Sequence, residues 1–221
     1  MKNRLPNAVI CFLCCMFFLS CNQKKQTIQT TDDQSLPREQ TLYVGGFQWG
    51  APSNFNPLAI TPAWPVTGNI NLIYEALFGY DLLSGELKPI IGRSYKLTGS
   101  ILEIYLFEQA AWQNGEPLTS DDVVYSFNLH RKYSTNLSFG ITNYISEVRT
   151  NGKYGVQMTL GGKDYNPLIV YDLISAVQIL PKKIFEKLEQ DAFDKVSSET
   201  GAAPGNADVL NVIREFKNDD H

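Results

Sequence analysis

The amino-acid sequence predicts a mixed α/β (α+β) fold, and three local patterns support this class. Residues 101–107 alternate between apolar and polar side chains, which is typical of a half-buried strand. The pair Asn151-Gly152 lies between two further alternating segments and predicts a β-hairpin. Residues 123–132 follow a helix-start pattern and carry apolar side chains at helical spacing. Strands and helices are therefore expected in the same chain.

The N-terminus is predicted to be a signal peptide that spans residues 1–20. Lys2 and Arg4 make its start positively charged, and residues 8–19 form an uncharged apolar run. A membrane-spanning helix needs roughly 20 such residues. The run therefore fits the apolar centre of a signal peptide, and the protein is expected in the periplasm or on the extracellular face of a bacterial membrane.

A cysteine follows the apolar run directly, and Ser20-Cys21 resembles the lipobox of bacterial lipoproteins. That motif usually has leucine where this chain has Phe18 and a small residue where it has Leu19. We expect Cys21 to be acylated and to anchor the mature protein on the membrane; the alternatives are an ordinary signal peptide and an uncleaved anchor. Residues 21–41 are then predicted to be a disordered tether, because they contain few large apolar side chains.

The cysteine positions and the net charge argue against a disulfide and against nucleic-acid binding. All four cysteines lie at or before position 21, so no disulfide is expected within the mature chain. Loss of Lys2 and Arg4 with the signal changes the formal net charge from −4 to −6. Binding to nucleic acid would need clusters of lysine and arginine, and we expect no nucleic-acid partner.

The ordered part of the chain is predicted to begin with a short strand at residues 41–44. An irregular, proline-rich segment follows at residues 47–68. Residues 69–80 predict a helix, with Asn69 as its N-cap and Gly79 as its C-cap. Its apolar residues lie near helical spacing: Ile70, Ile73, Leu77 and Phe78.

A turn and a helix are expected after the strand at residues 101–107. Residues 112–116 contain Asn-Gly and predict the turn. Thr119 and Asp122 have the spacing of a capping box, so replacing Thr119 with alanine is expected to cost about 1 kcal/mol. The helix should extend from Val123 to about Lys132 with these side chains buried: Val123, Val124, Phe127 and His130.

The rest of the chain predicts one hairpin and two helices. The hairpin strands contain these alternating residues: Tyr144, Ser146 and Val148 before the turn, and Tyr154, Val156, Met158 and Leu160 after it. Pro181 opens a helix with an apolar face of Ile184, Leu188 and Ala192. After the break at residues 201–205, a final helix presents Val209, Ile213 and Phe216.

No catalytic arrangement is recognisable, so the protein is not expected to be an enzyme. The glycines lack the spacing of a phosphate-binding loop. The two histidines, His130 and the terminal His221, are too few for a histidine-based metal site or a catalytic triad. Neighbouring side chains on a helix diverge by roughly 100°, so Asp121 and Asp122 are interpreted as helix-start residues. No catalytic residue, metal or cofactor is therefore expected.

Aromatic residues in the irregular segment are the candidates for ligand binding. Phe47, Gln48, Trp49 and Trp64 lie outside any periodic apolar face, where aromatic rings can stack on a ligand. Packing into a small core is the alternative for each tryptophan. Trp112 lies between a strand and a turn and is interpreted as structural.

Residues from Leu42 to about Pro181 resemble the bacterial extracellular solute-binding proteins of family 5, which serve ABC importers of oligopeptides, nickel and oligosaccharides. Four segments carry the resemblance, in the family's order: Phe55–Leu58, Leu72–Phe78, Trp112–Phe127, and Ile145–Leu160 followed by Ile179–Lys182. The third segment is the most specific and is similar to the family pattern "W-x-dG-x-plTA-eDVvfS". Gln113-Asn114 stands where the family often has His-Asp.

The resemblance implies a two-lobed fold of the periplasmic-binding-protein type II class, of which this chain would hold the first lobe and its inserted domain only. The inserted subdomain is expected at about residues 60–165, and residues 42–59 and 166–221 would form part of the first lobe. Such proteins are roughly twice this length or more, so we expect a fragment, a truncated product or a separately encoded half.

The resemblance implies a substrate-binding lipoprotein of an ABC transporter that imports peptides or oligosaccharides. Its partners would be a small solute, the ABC permease subunits and, through the lipid anchor, the membrane. Trp49 and Trp64 favour an oligosaccharide over a peptide. The alternatives are a surface lipoprotein or sensor module without a transport role, and a secreted hydrolase, which the missing catalytic groups disfavour.

Overall fold

The computed structural model describes residues 55–59, 73–161 and 166–216. The predicted mixed α/β class is confirmed. The strands are β1 (Phe78–Asp81), β2 (Glu86–Pro89), β3 (Gly92–Thr98), β4 (Ile101–Leu106), β5 (Ile145–Thr150) and β6 (Gly155–Leu160). The helices are α1 (Ser120–Lys132), α2 (Ser138–Tyr144), α3 (Pro167–Ala176), α4 (Lys182–Thr200) and α5 (Asn206–Glu215). The predicted strand at residues 41–44 lies outside the described residues.

Four strands form one antiparallel sheet in the order β3-β4-β6-β5. The predicted alternation in β4 is confirmed, because Leu102, Ile104 and Leu106 are buried while Tyr105 is exposed. Met158 of β6 pairs with Leu102 and is also buried. The buried face of the sheet contributes to the larger core, together with residues of α1, α2 and α3.

The hairpin predicted at Asn151-Gly152 joins β5 to β6. The Asn151 amide donates to the Gly155 carbonyl at 2.8 Å, and Gly152 has a φ of 80°, which glycine adopts without strain. The prediction that Tyr144 lies in the first strand is wrong, since α2 ends at that residue. A short helix therefore leads directly into β5.

The helix predicted at residues 69–80 is wrong for the part that the structure describes. Residues Phe78–Asp81 form β1, which pairs antiparallel with β2. The adjacent side chains of Leu77 and Phe78 are both buried, and the Leu77 carbonyl accepts a hydrogen bond from Gly92 at 2.8 Å. Contacts with β2 and β3 therefore determine an extended backbone here. Gly79 lies within β1 and is not a helix cap.

Helix α1 confirms the predicted helix and its buried side. It begins at Ser120, three residues before the predicted start, with Thr119 at the N-cap. Val124, which was also predicted to be buried, is half-buried, whereas Val123, Phe127 and His130 are buried. These side chains are three and four positions apart, which places them on the same side of the helix.

Helices α4 and α5 pack on a second, smaller core. The predicted faces are confirmed for Ala192, Val209 and Ile213, which are buried. The prediction is wrong for Ile184, whose exposed fraction is 54%, and Phe185 is buried instead. On the first turn of α4, the smaller core therefore contacts Phe185 and not Ile184. Within residues 55–59, 73–161 and 166–216, no helix combines the length and apolarity that a membrane crossing requires.

Candidate functional site

The ligand-binding residues predicted from the sequence are Phe47, Gln48, Trp49 and Trp64. All four, and the predicted lipidation site Cys21, lie outside the described residues. The candidate site is therefore built from the elements that the structure describes around the characteristic turn at residues 112–116 and around residues 55–59.

The turn at residues 112–116 is closed by local hydrogen bonds. The Trp112 amide donates to the Glu116 carbonyl at 2.8 Å, and the Gly115 amide donates to the Trp112 carbonyl at 2.8 Å. The Asn114 side chain accepts from the Glu116 amide at 3.0 Å, while Gly115 has a φ of 83°. Asparagine at this position thus stabilises the turn as an aspartate would. The half-buried Trp112 packs against the larger core, as its structural interpretation requires.

Asp122 connects the beginnings of two helices. Its Oδ2 accepts from the Thr119 amide at 2.9 Å and from the Thr119 hydroxyl at 3.3 Å. Its Oδ1 accepts from the Lys182 amide, at the first residue of α4, at 3.0 Å. The residue is only 8% exposed. A buried carboxylate that accepts backbone N–H groups from two helix starts has a structural role, which favours the helix-start interpretation over an acid–base pair with Asp121.

Ser126 reinforces the same junction one turn further along α1. Its hydroxyl donates to the Asp122 carbonyl at 2.7 Å and accepts from the Leu180 amide at 2.8 Å. Ser126 is fully buried. The amides of Leu180 and Lys182 therefore hold the start of α4 against α1 by donating hydrogen bonds to Ser126 and Asp122.

An open groove of about 740 Å³ lies between the turn and the start of α4, and we call it the Trp112 groove. Four of its charged side chains form two ion pairs: Lys183 lies 2.9 Å from Glu116, and Lys182 lies 3.7 Å from Glu186. The hydrogen bond from Lys183 lowers the pKa of Glu116, with a smaller contribution from Asn114. The described residues contain no group of three or more His, Cys, Asp and Glu side chains placed to hold a metal ion.

A second groove of about 670 Å³ lies beside residues 57–59, and we call it the His130 groove. His130 is 6% exposed, its Nδ1 lies 2.7 Å from Thr135 Oγ1, and burial lowers its pKa to about 4. The imidazole is therefore neutral near pH 7. Asn56 holds the wall of the groove in place: its side chain donates to the Ile213 carbonyl at 2.6 Å. The polypeptide continues from this wall into residues 60–72, which contain Trp64.

One polar cluster was not predicted from the sequence. Glu189 of α4 accepts hydrogen bonds from the hydroxyls of Tyr125 and Tyr133, both at 2.6 Å, and pairs with Lys132 at 2.7 Å. Burial alone would raise the pKa of Glu189, but the hydrogen bonds from Lys132 and the two tyrosines outweigh burial, and its pKa is lowered. Burial, and then Glu189, raise the pKa of Tyr133 to about 12. The partners lie 56 to 64 positions from Glu189 in the sequence, so no local pattern indicates them.

Comparison with known proteins gives one family match. Residues 95–206 match the model of the bacterial extracellular solute-binding proteins, family 5 Middle. The candidate ABC transporter peptide-binding proteins of Brucella ovis and Brucella abortus are each 31% identical over 159 residues. The alignment covers 68% of this chain and 27% of each relative. The chain therefore spans about a quarter of the length of these relatives.

Solved structures show the same fold. A mannohexaose-bound periplasmic oligopeptide-binding protein of Thermotoga maritima has a TM-score of 0.59 at 26% identity. The match covers 82% of this chain and 30% of the Thermotoga chain. A further oligopeptide-binding structure from that organism has a TM-score of 0.56 at 31% identity, with 68% and 27% covered. The oligopeptide-binding protein of Bacillus subtilis, solved with a nonapeptide, has a TM-score of 0.54 at 23% identity, with 76% and 30% covered.

Proposed function

Because the chain belongs to the bacterial extracellular solute-binding proteins of family 5, we propose that it contributes to the substrate-binding component of an ABC importer for peptides. One observation carries the proposal: an oligopeptide-binding protein of Thermotoga maritima is 31% identical and shares the fold over 68% of this chain. The names of the Brucella relatives support the same substrate class. Members of this family bind solutes for transport, and we propose no catalytic role for this chain.

An oligosaccharide is the second candidate ligand. It is favoured by the 26% identical relative from Thermotoga maritima, which was solved with mannohexaose bound. Aromatic rings stack on the apolar faces of sugars, and Trp49 and Trp64 would supply such rings. Peptides and oligosaccharides are therefore the two candidate substrate classes, and an uptake experiment distinguishes them.

We place the ligand against Phe47, Gln48, Trp49 and Trp64. The support is that Trp64 lies five positions after Ala59, which lines the His130 groove. We also retain the proposed division into an inserted subdomain at about residues 60–165 and first-lobe segments at 42–59 and 166–221. The ABC permease subunits are the proposed protein partners.

An anchor at Cys21 would hold the protein on the outer side of the membrane to which the permease belongs. The support is the apolar run that ends at Ser20-Cys21, together with a family whose members are extracellular. The anchor and the signal peptide at residues 1–20 are proposals from the sequence. A single acyl chain binds membranes only marginally, so the anchor would need more than one chain.

The experiment is an uptake assay in the bacterium that encodes the protein. Deletion of the gene should abolish uptake of a labelled oligopeptide mixture and spare labelled manno-oligosaccharides; the reverse result would favour the second candidate. Complementation with the wild type and with Tyr105→Ala, an exposed aromatic on the sheet, should restore uptake, whereas Trp49→Ala with Trp64→Ala should not. Unchanged uptake of both substrates after deletion would refute the transport role.

A further inference from the structure

The His130 groove differs in charge from the rest of the protein. The half-buried Arg214, in the last turn of α5, lines it, and none of its described lining residues is an aspartate or a glutamate. The chain as a whole is acidic, with a formal net charge of −4. The Trp112 groove follows that trend, since Asp121 and Asp122 line it in addition to its two ion pairs. The His130 groove is therefore a local region of positive charge.

Arg214 has no charged partner that would neutralise it. Across residues 55–59, 73–161 and 166–216, four lysines form ion pairs with glutamates, whereas the Arg214 guanidinium makes neither an ion pair nor a hydrogen bond. A cation in the last turn of a helix interacts favourably with the helix dipole. That interaction leaves the N–H donors of the guanidinium available. Arg214 can therefore bind a ligand without first breaking an existing contact.

His130 supplies a second, neutral donor from a buried position in the groove. After α1 the chain turns at Ser134, which has a φ of 46°, and Thr135 Oγ1 lies 2.7 Å from His130 Nδ1. Burial lowers the pKa of His130 to about 4, so the ring carries one proton near pH 7. When Nδ1 accepts from the Thr135 hydroxyl, that proton lies on Nε2. This nitrogen has no hydrogen-bond partner in the part of the chain that the structure describes, and a buried donor of this kind requires one.

Hydrogen bonds and packing hold the walls of the groove in place. Asn56 Nδ2 donates to the Ile213 carbonyl at 2.6 Å, which joins the wall at residues 57–59 to the turn of α5 that carries Arg214. Asn56 Oδ1 accepts from the Leu58 amide at 3.0 Å, and Leu58 is buried in the smaller core. The groove therefore exists before a ligand enters, which reduces the cost of ordering the site on binding.

We propose that the His130 groove binds a carboxylate group of a peptide, with Arg214 as the charged partner and the His130 imidazole as a further donor. Arginine suits a carboxylate because two parallel N–H groups can bind both of its oxygens. The inference rests on the proposed importer role for the source of the carboxylate, which is either the C-terminus of a peptide or an acidic side chain. A neutral oligosaccharide has no such group, so the groove favours peptides among the two candidate substrate classes.

A peptide titration of the isotope-labelled full chain, followed by NMR, tests the proposal, because NMR also detects weak binding. The probes are tri-alanine with a free C-terminus, tri-alanine amide, which lacks the carboxylate, and Ala-Glu-Ala amide, which carries it on a side chain. The signals observed are the Nε–H of Arg214 and the ring nitrogens of His130. Arg214→Gln removes the charge and keeps a polar side chain. Arg93→Gln, at an exposed arginine on β3, is the matched control.

Tri-alanine should bind about tenfold or more tightly than its amide and shift the signals of both side chains, because amidation removes the ion pair. Arg214→Gln should abolish this preference and Arg93→Gln should preserve it, with the melting temperature unchanged in both variants. Binding of Ala-Glu-Ala amide would show that a side-chain carboxylate also serves, and its failure to bind would assign the groove to the C-terminus. Equal affinity for tri-alanine and its amide, unshifted Arg214 and His130 signals, or a preference that survives Arg214→Gln would overturn the proposal. If gene deletion still abolishes peptide uptake, such a result refutes this inference alone and leaves the importer role standing.

Discussion

Replacement of the Asp122 side chain should strongly lower the stability of the described fold. The perturbation is Asp122→Ala, which removes the acceptor of two backbone N–H groups: Thr119 at 2.9 Å and Lys182 at 3.0 Å. A hydrogen bond to a charged group contributes about 1.5–3 kcal/mol. Asp122 is only 8% exposed, so water would reach the two freed N–H groups poorly. Loss of both bonds should lower the free energy of unfolding by about 3–6 kcal/mol.

Two matched variants separate the hydrogen bonds from the charge at the helix start. Asp121→Ala removes the neighbouring carboxylate, which is exposed, and should cost less than about 1 kcal/mol through the helix dipole. Asp122→Asn retains one acceptor oxygen and should lose about half of the full effect. Thr119→Ala removes a hydroxyl bond of 3.3 Å but keeps the Thr119 amide bond. Its cost should therefore lie near the lower end of the N-cap range, about 0.5 kcal/mol.

The assay is urea denaturation of the full chain, monitored by far-ultraviolet circular dichroism, and the midpoints and slopes of the variants are compared with those of the wild type. Thermal unfolding provides a second measurement. For a chain of this size, each kcal/mol corresponds to about 2–4 °C in melting temperature, so Asp122→Ala should melt roughly 10 °C lower. If the losses in free energy of unfolding for Asp122→Ala and Asp121→Ala differ by less than about 1 kcal/mol, the two bonds do not stabilise the junction of the two helices.

Three further predictions concern other parts of the chain. Burial lowers the pKa of His130 from 6.5 to about 4, so the unfolded chain binds a proton before the folded chain does as the pH falls. The free energy of unfolding should therefore drop by about 2 kcal/mol between pH 7.5 and pH 5. In denaturation experiments at both pH values, His130→Gln should remove this contribution to the pH dependence. Gly92→Ala would place a Cβ in steric overlap with the Phe78 ring, so this overpacking should lower the free energy of unfolding by about 1–3 kcal/mol. The control Gly79→Ala should change it little, because the nearest atom to its added Cβ is 3.5 Å away. Cys21→Ser should abolish labelling by a fatty-acid analogue in a bacterial host, and equal labelling of both proteins would refute lipidation at this residue.

The elements that the sequence predicts correctly are those encoded by residues close together in the chain. The alternation in β4 reflects one buried and one exposed face of the sheet. The Asn151-Gly152 turn and the pairing of Thr119 with Asp122 each need only a few neighbouring residues. The segment from Trp112 to Phe127 also carries the resemblance to family 5, and the family match over residues 95–206 includes it.

The errors occur where contacts between distant residues determine the local structure. Leu77 and Phe78 have helical spacing with earlier apolar residues, yet pairing with β2 makes the backbone extended. The orientation of α4 against its core buries Phe185 instead of Ile184. An apolar pattern indicates that a segment is partly buried, and it leaves open which partner covers it.

At the junction between α1 and α4, Asp122 makes one hydrogen bond that the sequence predicts and one that only the tertiary structure determines. The sequence predicts the Asp122 bond to Thr119, three positions away, because a helix start has a local pattern. The second bond, to Lys182, spans 60 positions, and the Glu189 cluster spans 56 to 64. Such partners meet only after the sheet and the helices have packed, because their separation depends on the path of the whole intervening chain.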